Sequence, residues 1–254
     1  MGKFKDKIFG KNSFNPFYED CQKILHENMP SKASEQYKRI RENIEFVLCN
    51  DEKNHAIGVT SSMRGEGKSI TSINLSYVFA QKGYKVLLID ADLRLPSVAK
   101  KMEIDNSPGL SEMLKNGEEC QIKPKAYLLD NLFILPAGEI PPNPSELLGS
   151  ERMRELLIKL KGEYDYIFID LPPVNVVSDA ISVSSSISGA VVVVREEYTE
   201  KNELEYCFRQ LELSEIKVLG CIINDAKMEK SLTPEKNKGV WNFLRKRNKR
   251  GLKK

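Results

Sequence analysis

The chain alternates between two apolar patterns. Short, nearly unbroken runs of Val, Ile, Leu and Phe mark strands: "HAIGVTS" (55–61), "KVLLIDAD" (85–92), "LFILPAG" (132–138), "YDYIFIDLPP" (164–173), "GAVVVVR" (189–195) and "IKVLGCIIND" (216–225). Stretches with helical spacing lie among them. "SEQYKRIRENIEFVL" (34–48) opens at a Ser cap and repeats apolar residues at Tyr37, Ile40, Ile44 and Val47. "KSITSINLSYVFAQKG" (68–83) stops at Gly83, and "NPSELLGSERMRELLIKLKG" (143–162) carries a helix that can start after Pro144. A further helix is expected over 200–213. Strands that are apolar along their whole length are buried on both faces, and the helices between them supply crossovers. The pattern therefore predicts an α/β domain with a mostly parallel sheet and helices on both faces.

Composition sets the limits of that domain. The 254 residues are 41% hydrophobic, enough for one sizeable core. Residues 1–33 are polar, with Pro16 and Pro30 as breakers, and read as an N-terminal extension. Residues 34–230 read as the folded domain and 231–254 as a basic tail. A net charge of +3 excludes a chain that binds polyanions with its whole surface. The five cysteines (Cys21, Cys49, Cys120, Cys207 and Cys221) form no CxxC pair and suit a reducing, cytoplasmic compartment better than a disulfide framework. Two histidines, His26 and His55, are too few for a metal centre. No apolar run approaches the ~20 residues of a membrane helix, and the N-terminus lacks the apolar core of a secretory signal.

The chemistry lies at the strand ends. After "HAIGVTS" comes "SMRGEGKS", a loop followed by a helix, which is the setting of a phosphate-binding P-loop. Ser62, Gly65, Glu66, Gly67, Lys68, Ser69 and Ile70 form the candidate nucleotide cradle. Glycines let backbone N–H groups turn to the phosphates, and the helix N-terminus adds its dipole. Lys68 would reach the β- and γ-phosphates, and Ser69 would ligate Mg²⁺. The strict pattern has Gly where Ser62 stands. "LLIDADLR" places Asp90, Asp92 and Arg94 at the end of the next strand, and "YDYIFIDLPP" places Asp170 at a third. Ligands of parallel sheets bind at this end. Phosphoryl transfer needs charge neutralisation and positioning, so Asp170 is expected to serve Mg²⁺, and Asp90 to orient and deprotonate a hydroxyl. Asp92 would assist either the metal or Asp90. Arg94 pairs with a carboxylate or phosphate, or forms a structural salt bridge. Asn224, at the last strand end, is a candidate adenine contact.

Together "GEGKS", "LLIDADLR", "SPGLSEML" (107–114), "LPAGEIPPNPSELL" (135–148) and "IFIDLPPV" (167–174) resemble the bacterial P-loop protein-tyrosine kinases of capsule and exopolysaccharide systems, over about residues 34–225. The resemblance implies a P-loop NTPase of the deviant-Walker type that uses ATP and Mg²⁺ and phosphorylates protein tyrosines. It implies catalytic roles for Lys68, Asp90, Asp92 and Arg94, and metal roles for Ser69, Asp92 and Asp170. It also implies a membrane activator of the polysaccharide co-polymerase type, and a homo-oligomer through the 34–48 helix. There the family's Glu-x-x-Arg-x-x-Arg becomes Glu35, Lys38 and Arg41. Related septum-placement and partition ATPases share a second lysine early in the P-loop. Met63 stands there instead, which argues against the water-activating class.

Two departures bear on function. The family carries a tyrosine cluster in its C-terminal tail, but the last of nine tyrosines here is Tyr206. A tyrosine kinase is therefore weighed against an ATP-dependent oligomerisation switch without tyrosine phosphorylation. If the chain is a kinase, Tyr18, Tyr198, Tyr206 or another protein would supply the acceptor. The tail, residues 236–254, places Trp241 and Phe243 before a dense basic run. This suits an anionic membrane surface and a peripheral location on the cell membrane, and equally a solvated tail. No nucleic-acid motif accompanies it, so nucleic acid is not an expected partner.

Overall fold

The computed structural model describes residues 23–26, 31–49, 54–117 and 124–227. Two compact units divide the chain, Met1–Asn224 and Asp225–Lys254. Everything below concerns the first. The basic tail, Tyr18 and most of the N-terminal extension lie outside the described residues.

In chain order the elements are α1 (Ser31–Leu48), β1 (His55–Ser61), α2 (Lys68–Gln81), β2 (Val86–Asp90), α3 (Val98–Met102), α4 (Leu110–Asn116), β3 (Lys125–Tyr127), β4 (Leu129–Leu135), α5 (Pro144–Leu148), α6 (Glu151–Lys161), β5 (Tyr166–Asp170), α7 (Asp179–Ser182), β6 (Gly189–Arg195), α8 (Lys201–Leu213) and β7 (Val218–Asn224). The seven strands form one sheet in the order β3-β4-β2-β5-β1-β6-β7. All pairings are parallel except β3 with β4 at the edge. The expected α/β architecture is the observed one.

Alternation along the strands fills two apolar layers. Leu87, Ile89, Ile167 and Ile169 face a layer that includes Leu157 of α6 and Phe208 of α8. Val86, Leu88, Tyr166 and Phe168 face the other, with Ile73 of α2 and Ile44 of α1. Burying both strand faces is what the continuous Val/Ile/Leu runs require. α2 is buried almost all round, between the sheet and α1, and Ser72, Asn74 and Ser76 hydrogen-bond inside the fold. Asn74 accepts from the Leu25 N–H at 2.8 Å and donates to the Lys23 carbonyl at 3.0 Å, pinning the preceding segment to α2.

Two expectations change. The helix expected over 143–162 is two helices, broken at Gly149-Ser150, because Ser150 caps α6 by accepting from the Met153 N–H. The 34–48 helix begins three residues earlier, at Ser31, so the boundary drawn at 33/34 falls inside it. Arg41, expected in an oligomer contact, donates from Nη1 to the Val78 carbonyl at 2.9 Å and ties α1 to α2. Glu35 and Lys38 pair with each other at 2.9 Å on the exposed face.

Glu112 of α4 fastens the "SPGLSEML" segment to the "LPAGE" segment. It accepts from the backbone N–H groups of Gly109 (2.8 Å) and Glu139 (2.9 Å) and from Ser107 Oγ (3.0 Å). Burial pushes its pKa up, but these donors prevail and hold it down at about 2, against 4.5 for a free Glu. A carboxyl depressed on folding stabilises fully above its unfolded pKa, and that stability is lost as pH falls through the folded value. Glu112→Gln should lower the melting temperature at pH 7 by roughly 2–8 °C, for a loss of about 1–2 kcal/mol. The difference from the unsubstituted chain should shrink as pH falls from 4.5 towards 2, measured by thermal melts across that range.

Candidate active site

The loop between β1 and α2 turns through Gly65 (φ +83°) and Gly67 (φ +93°), both in the left-handed region that favours glycine. A Cβ on Gly67 would sit 2.0 Å from Asn224 Nδ2. The first backward helical bond here runs from the Thr71 N–H to the Gly67 carbonyl, at 3.0 Å. The amides of Lys68, Ser69 and Ile70 therefore form the donor-rich start of α2. Ile70 can serve a phosphate through its amide alone, since its side chain is packed in the α2 layer.

Ser62 and Glu66, expected in the cradle, spend their side chains on the loop itself. Ser62 Oγ donates to Glu66 Oε1 at 2.8 Å, the Met63 N–H to Glu66 Oε2 at 2.8 Å, and Thr199 Oγ1 also bonds Glu66 Oε1. Asn224 Nδ2 donates to the Glu66 carbonyl at 3.0 Å. Asn224 is thus a brace for the loop as well as a candidate base contact. Sequence reading passed over Thr199, which lies more than a hundred residues along the chain from its partner.

The charged centre rests on strand register. β2 and β5 are neighbours with Asp90 opposite Asp170, and β1 sets Val59 opposite Asp170. The three carboxylates therefore meet Lys68 at one edge. Lys68 Nζ bonds Asp92 Oδ2 at 2.8 Å and lies 3.7 Å from Asp170 Oδ1. Burial pulls the lysine pKa down, but Asp170 and Asp92 outweigh it and raise it. Asp170 Oδ1 also accepts from Ser72 Oγ at 3.2 Å. β2 ends at Asp90, whose Oδ1 accepts from the Asp92 N–H (3.2 Å) and whose Oδ2 accepts from the N–H groups of Ser97 (3.1 Å) and Val98 (2.9 Å). A carboxylate has about four acceptor positions, so one remains. Burial, then the neighbouring Asp170 charge, pushes Asp90 up to about 7. Burial raises Asp170 as well.

Arg94 takes the salt-bridge role. Its Nε and Nη2 bond the buried Asp179 at 2.8 and 3.1 Å, and Nη2 bonds Ser145 Oγ at 3.1 Å. It ties the loop after β2 to α5 and α7 and has no bond to Lys68, Asp90 or Asp170 among the described contacts.

A fit for Mg²⁺ is visible in the donors. Asp170 Oδ2 is buried and makes no hydrogen bond. Ser69 Oγ is buried beside it and accepts from Ser97 Oγ at 2.9 Å. Among the described residues no three His, Cys, Asp or Glu side chains are disposed to hold a metal alone. Mg²⁺ takes one or two protein oxygens plus phosphate oxygens and water, and Ser69 Oγ and Asp170 Oδ2 could supply the protein oxygens.

Residues 54–203 match a family model described as an AAA domain. The chain is 41% identical over 200 residues to the tyrosine-protein kinase YwqD of Bacillus subtilis (strain 168), covering 79% of this chain and 84% of that one. It is 34% identical to the putative tyrosine-protein kinase CapB of Staphylococcus aureus, over 87% of this chain and 94% of that one. The crystal structure of the chimerical protein CapA2B2 superposes with a TM-score of 0.76 at 36% identity, covering 82% and 91% of the two chains. Among the described residues no helix is long and apolar enough to cross a membrane.

Replacing Gly67 by Ala should strain the left-handed turn and displace Asn224. The expected outcome is a loss of roughly ten-fold or more in affinity for a fluorescent ATP analogue, with the circular dichroism spectrum unchanged.

Proposed function

Because the chain belongs to the family of bacterial tyrosine-protein kinases, we propose that it transfers the γ-phosphoryl group of ATP to tyrosine hydroxyls in a Mg²⁺-dependent reaction. The observation that carries this reading is the convergence of Lys68, Asp90, Asp92 and Asp170 on the start of α2, with Met63 where the water-activating relatives have lysine.

Each residue has a physical task. The first amides of α2 and Lys68 hold the phosphates, and Lys68 leaves Asp92 to do so. Ser69 and Asp170 would hold Mg²⁺, with Asp92 beside them once Lys68 has moved. The metal supplies neutralisation of charge on the β- and γ-phosphates. Asp90, fixed by three backbone amides, has one acceptor position left to orient a phenol and take its proton. A base pushed up to about 7 is well matched to that transfer near neutral pH. Arg94, through Asp179, holds the loop that carries Asp92.

The wider setting follows the same reading. The kinase would act in capsular or exopolysaccharide synthesis, in the cytoplasm, with a membrane activator of the polysaccharide co-polymerase type and as a homo-oligomer. Glu35, Lys38 and Arg41 of α1 would face a second copy, with Arg41 also tying α1 to α2. One observation favours the second reading, a nucleotide-driven oligomerisation switch: no tyrosine follows Tyr206.

A random Glu/Tyr copolymer with Mg-ATP separates the two. A kinase labels it on tyrosine, and Lys68→Met abolishes the labelling. Asp90→Asn lowers it by about 10²–10⁴-fold while ATP-analogue binding persists. Nucleotide binding or hydrolysis with no phosphotyrosine on copolymer, chain or activator segment would establish the switch instead.

A further inference from the structure

Among the described residues two tyrosines are exposed, Tyr198 at 52% and Tyr206 at 50%. Tyr77, Tyr164 and Tyr166 are buried, and Tyr37, Tyr84 and Tyr127 pack against the α2 layer. Tyr206 stands in the middle of α8, where the backbone is held by the helix's own hydrogen bonds. Tyr198 lies in the loop between β6 and α8, where a backbone can lead a side chain into another molecule's site.

That loop is fastened along the P-loop. The Tyr198 hydroxyl donates to the Arg64 carbonyl at 3.0 Å, Arg195 Nη1 donates to the Gly65 carbonyl at 3.3 Å, and Thr199 Oγ1 bonds the Glu66 carboxylate. The Arg195 guanidinium lies 5.3 Å from the centre of the Tyr198 ring. A Cβ on Gly65 would meet the Tyr198 hydroxyl at 3.3 Å, so the ring is seated against the Arg64–Gly65 peptide.

We propose that Tyr198 is a phosphoacceptor of this kinase and that its phenol is a latch on the P-loop, released when it is phosphorylated; the proposal rests on the kinase reading above. P-loops turn amides to the phosphates and carbonyls outward. A phenol seated on the Arg64 carbonyl is therefore outside its own cradle, and the phosphoryl donor is ATP bound to a second copy. In the transfer the bond from the γ-phosphorus to the β,γ-bridging oxygen breaks. A P–O bond to Tyr198 Oη forms, ADP leaves, and the phenolic proton passes to a carboxylate of the donating site.

The product cannot keep the latch. The phosphoester has no phenolic proton to donate, and its charge of about −1.5 to −2 is repelled by the Arg64 carbonyl. Arg64, exposed on the P-loop, and Arg195 beside the ring are the guanidinium groups a phosphate would draw on. The P-loop tip then loses a bond from the segment that braces it, and nucleotide affinity falls. Tyr198 would thus give the chain both an acceptor and a feedback on its own site.

The test uses the full chain with Mg-ATP and two acceptors, the Glu/Tyr copolymer and the Lys68→Met chain, which cannot phosphorylate itself. Mass spectrometry of the Lys68→Met chain after mixing with the unsubstituted chain should find phosphate on Tyr198. Adding Tyr198→Phe to the Lys68→Met acceptor should remove most of the incorporated phosphate, and adding Tyr206→Phe should leave it. The chain phosphorylated on Tyr198 should bind a fluorescent ATP analogue roughly five-fold more weakly than the same sample after phosphatase treatment, as for one lost hydrogen bond. Copolymer labelled while Tyr198 stays unmodified would overturn this proposal and leave the kinase reading standing. No labelling of either acceptor would overturn both. Phosphate on Tyr198 with unchanged nucleotide affinity would overturn the latch.

Discussion

The site is organised around the Lys68 ammonium, held between Asp92 and Asp170 at the edge of the sheet. A buried cation or carboxylate is strongly unfavourable alone, and breaking such a pair exposes the full desolvation cost of the remaining charge. The chain therefore has to deliver these groups together, from segments far apart in sequence. Parallel register does this. With Asp90 opposite Asp170 on adjacent strands, a slip of one residue would turn either carboxylate into an apolar layer. The apolar rows of β2 and β5, packed on both faces, forbid that slip. The core thus positions the chemistry.

The P-loop is braced from its other side. Glu66, fully buried, closes the loop on itself through Ser62 and the Met63 amide, and closes it on β6–α8 through Thr199. A carboxylate inside a phosphate-binding loop is at first sight the wrong sign. Its oxygens are consumed by those donors, so it acts as a staple rather than as a charge presented to ligand. Asn224 adds a bond from the end of β7 to the Glu66 carbonyl. The loop's shape is thereby a property of the strands on both sides of β1, since Asp170 ends β5 and the Thr199 loop follows β6.

Much of this was legible in the sequence because it was local or periodic. Six strands follow from uninterrupted apolar runs, and the phosphate loop from glycines between a strand and a helix. β3 was not legible: three residues, two of them exposed, at an antiparallel edge carry no periodic signal. The break at Gly149-Ser150 was written as Gly-Ser, but helical spacing resumes so quickly that a cap competes poorly with periodicity. Asp90, Asp92 and Asp170 could be placed at strand ends, whereas the partition of Arg94 between phosphate and carboxylate could not. That choice was made by Asp179, buried 85 residues away in sequence. Thr199 shows the same limit: an ordinary polar side chain whose bond to Glu66 exists only after β6 lies beside β1.

The charge balance of the centre carries a consequence for how it works. Three carboxylates face one lysine, and burial with mutual repulsion raises both Asp90 and Asp170, Asp90 to about 7. A cation beside Asp170 would favour the deprotonated carboxylate, because ligand oxygens bind metal in their deprotonated form. The same repulsion among the carboxylates would favour a divalent cation beside them. In the proposed reaction Lys68, paired here with Asp92, would exchange those carboxylates for phosphate oxygens. On the proposed reading, the ion pair at 2.8 Å is the contact Lys68 would give up for the nucleotide. Its strength sets how readily the lysine lets go.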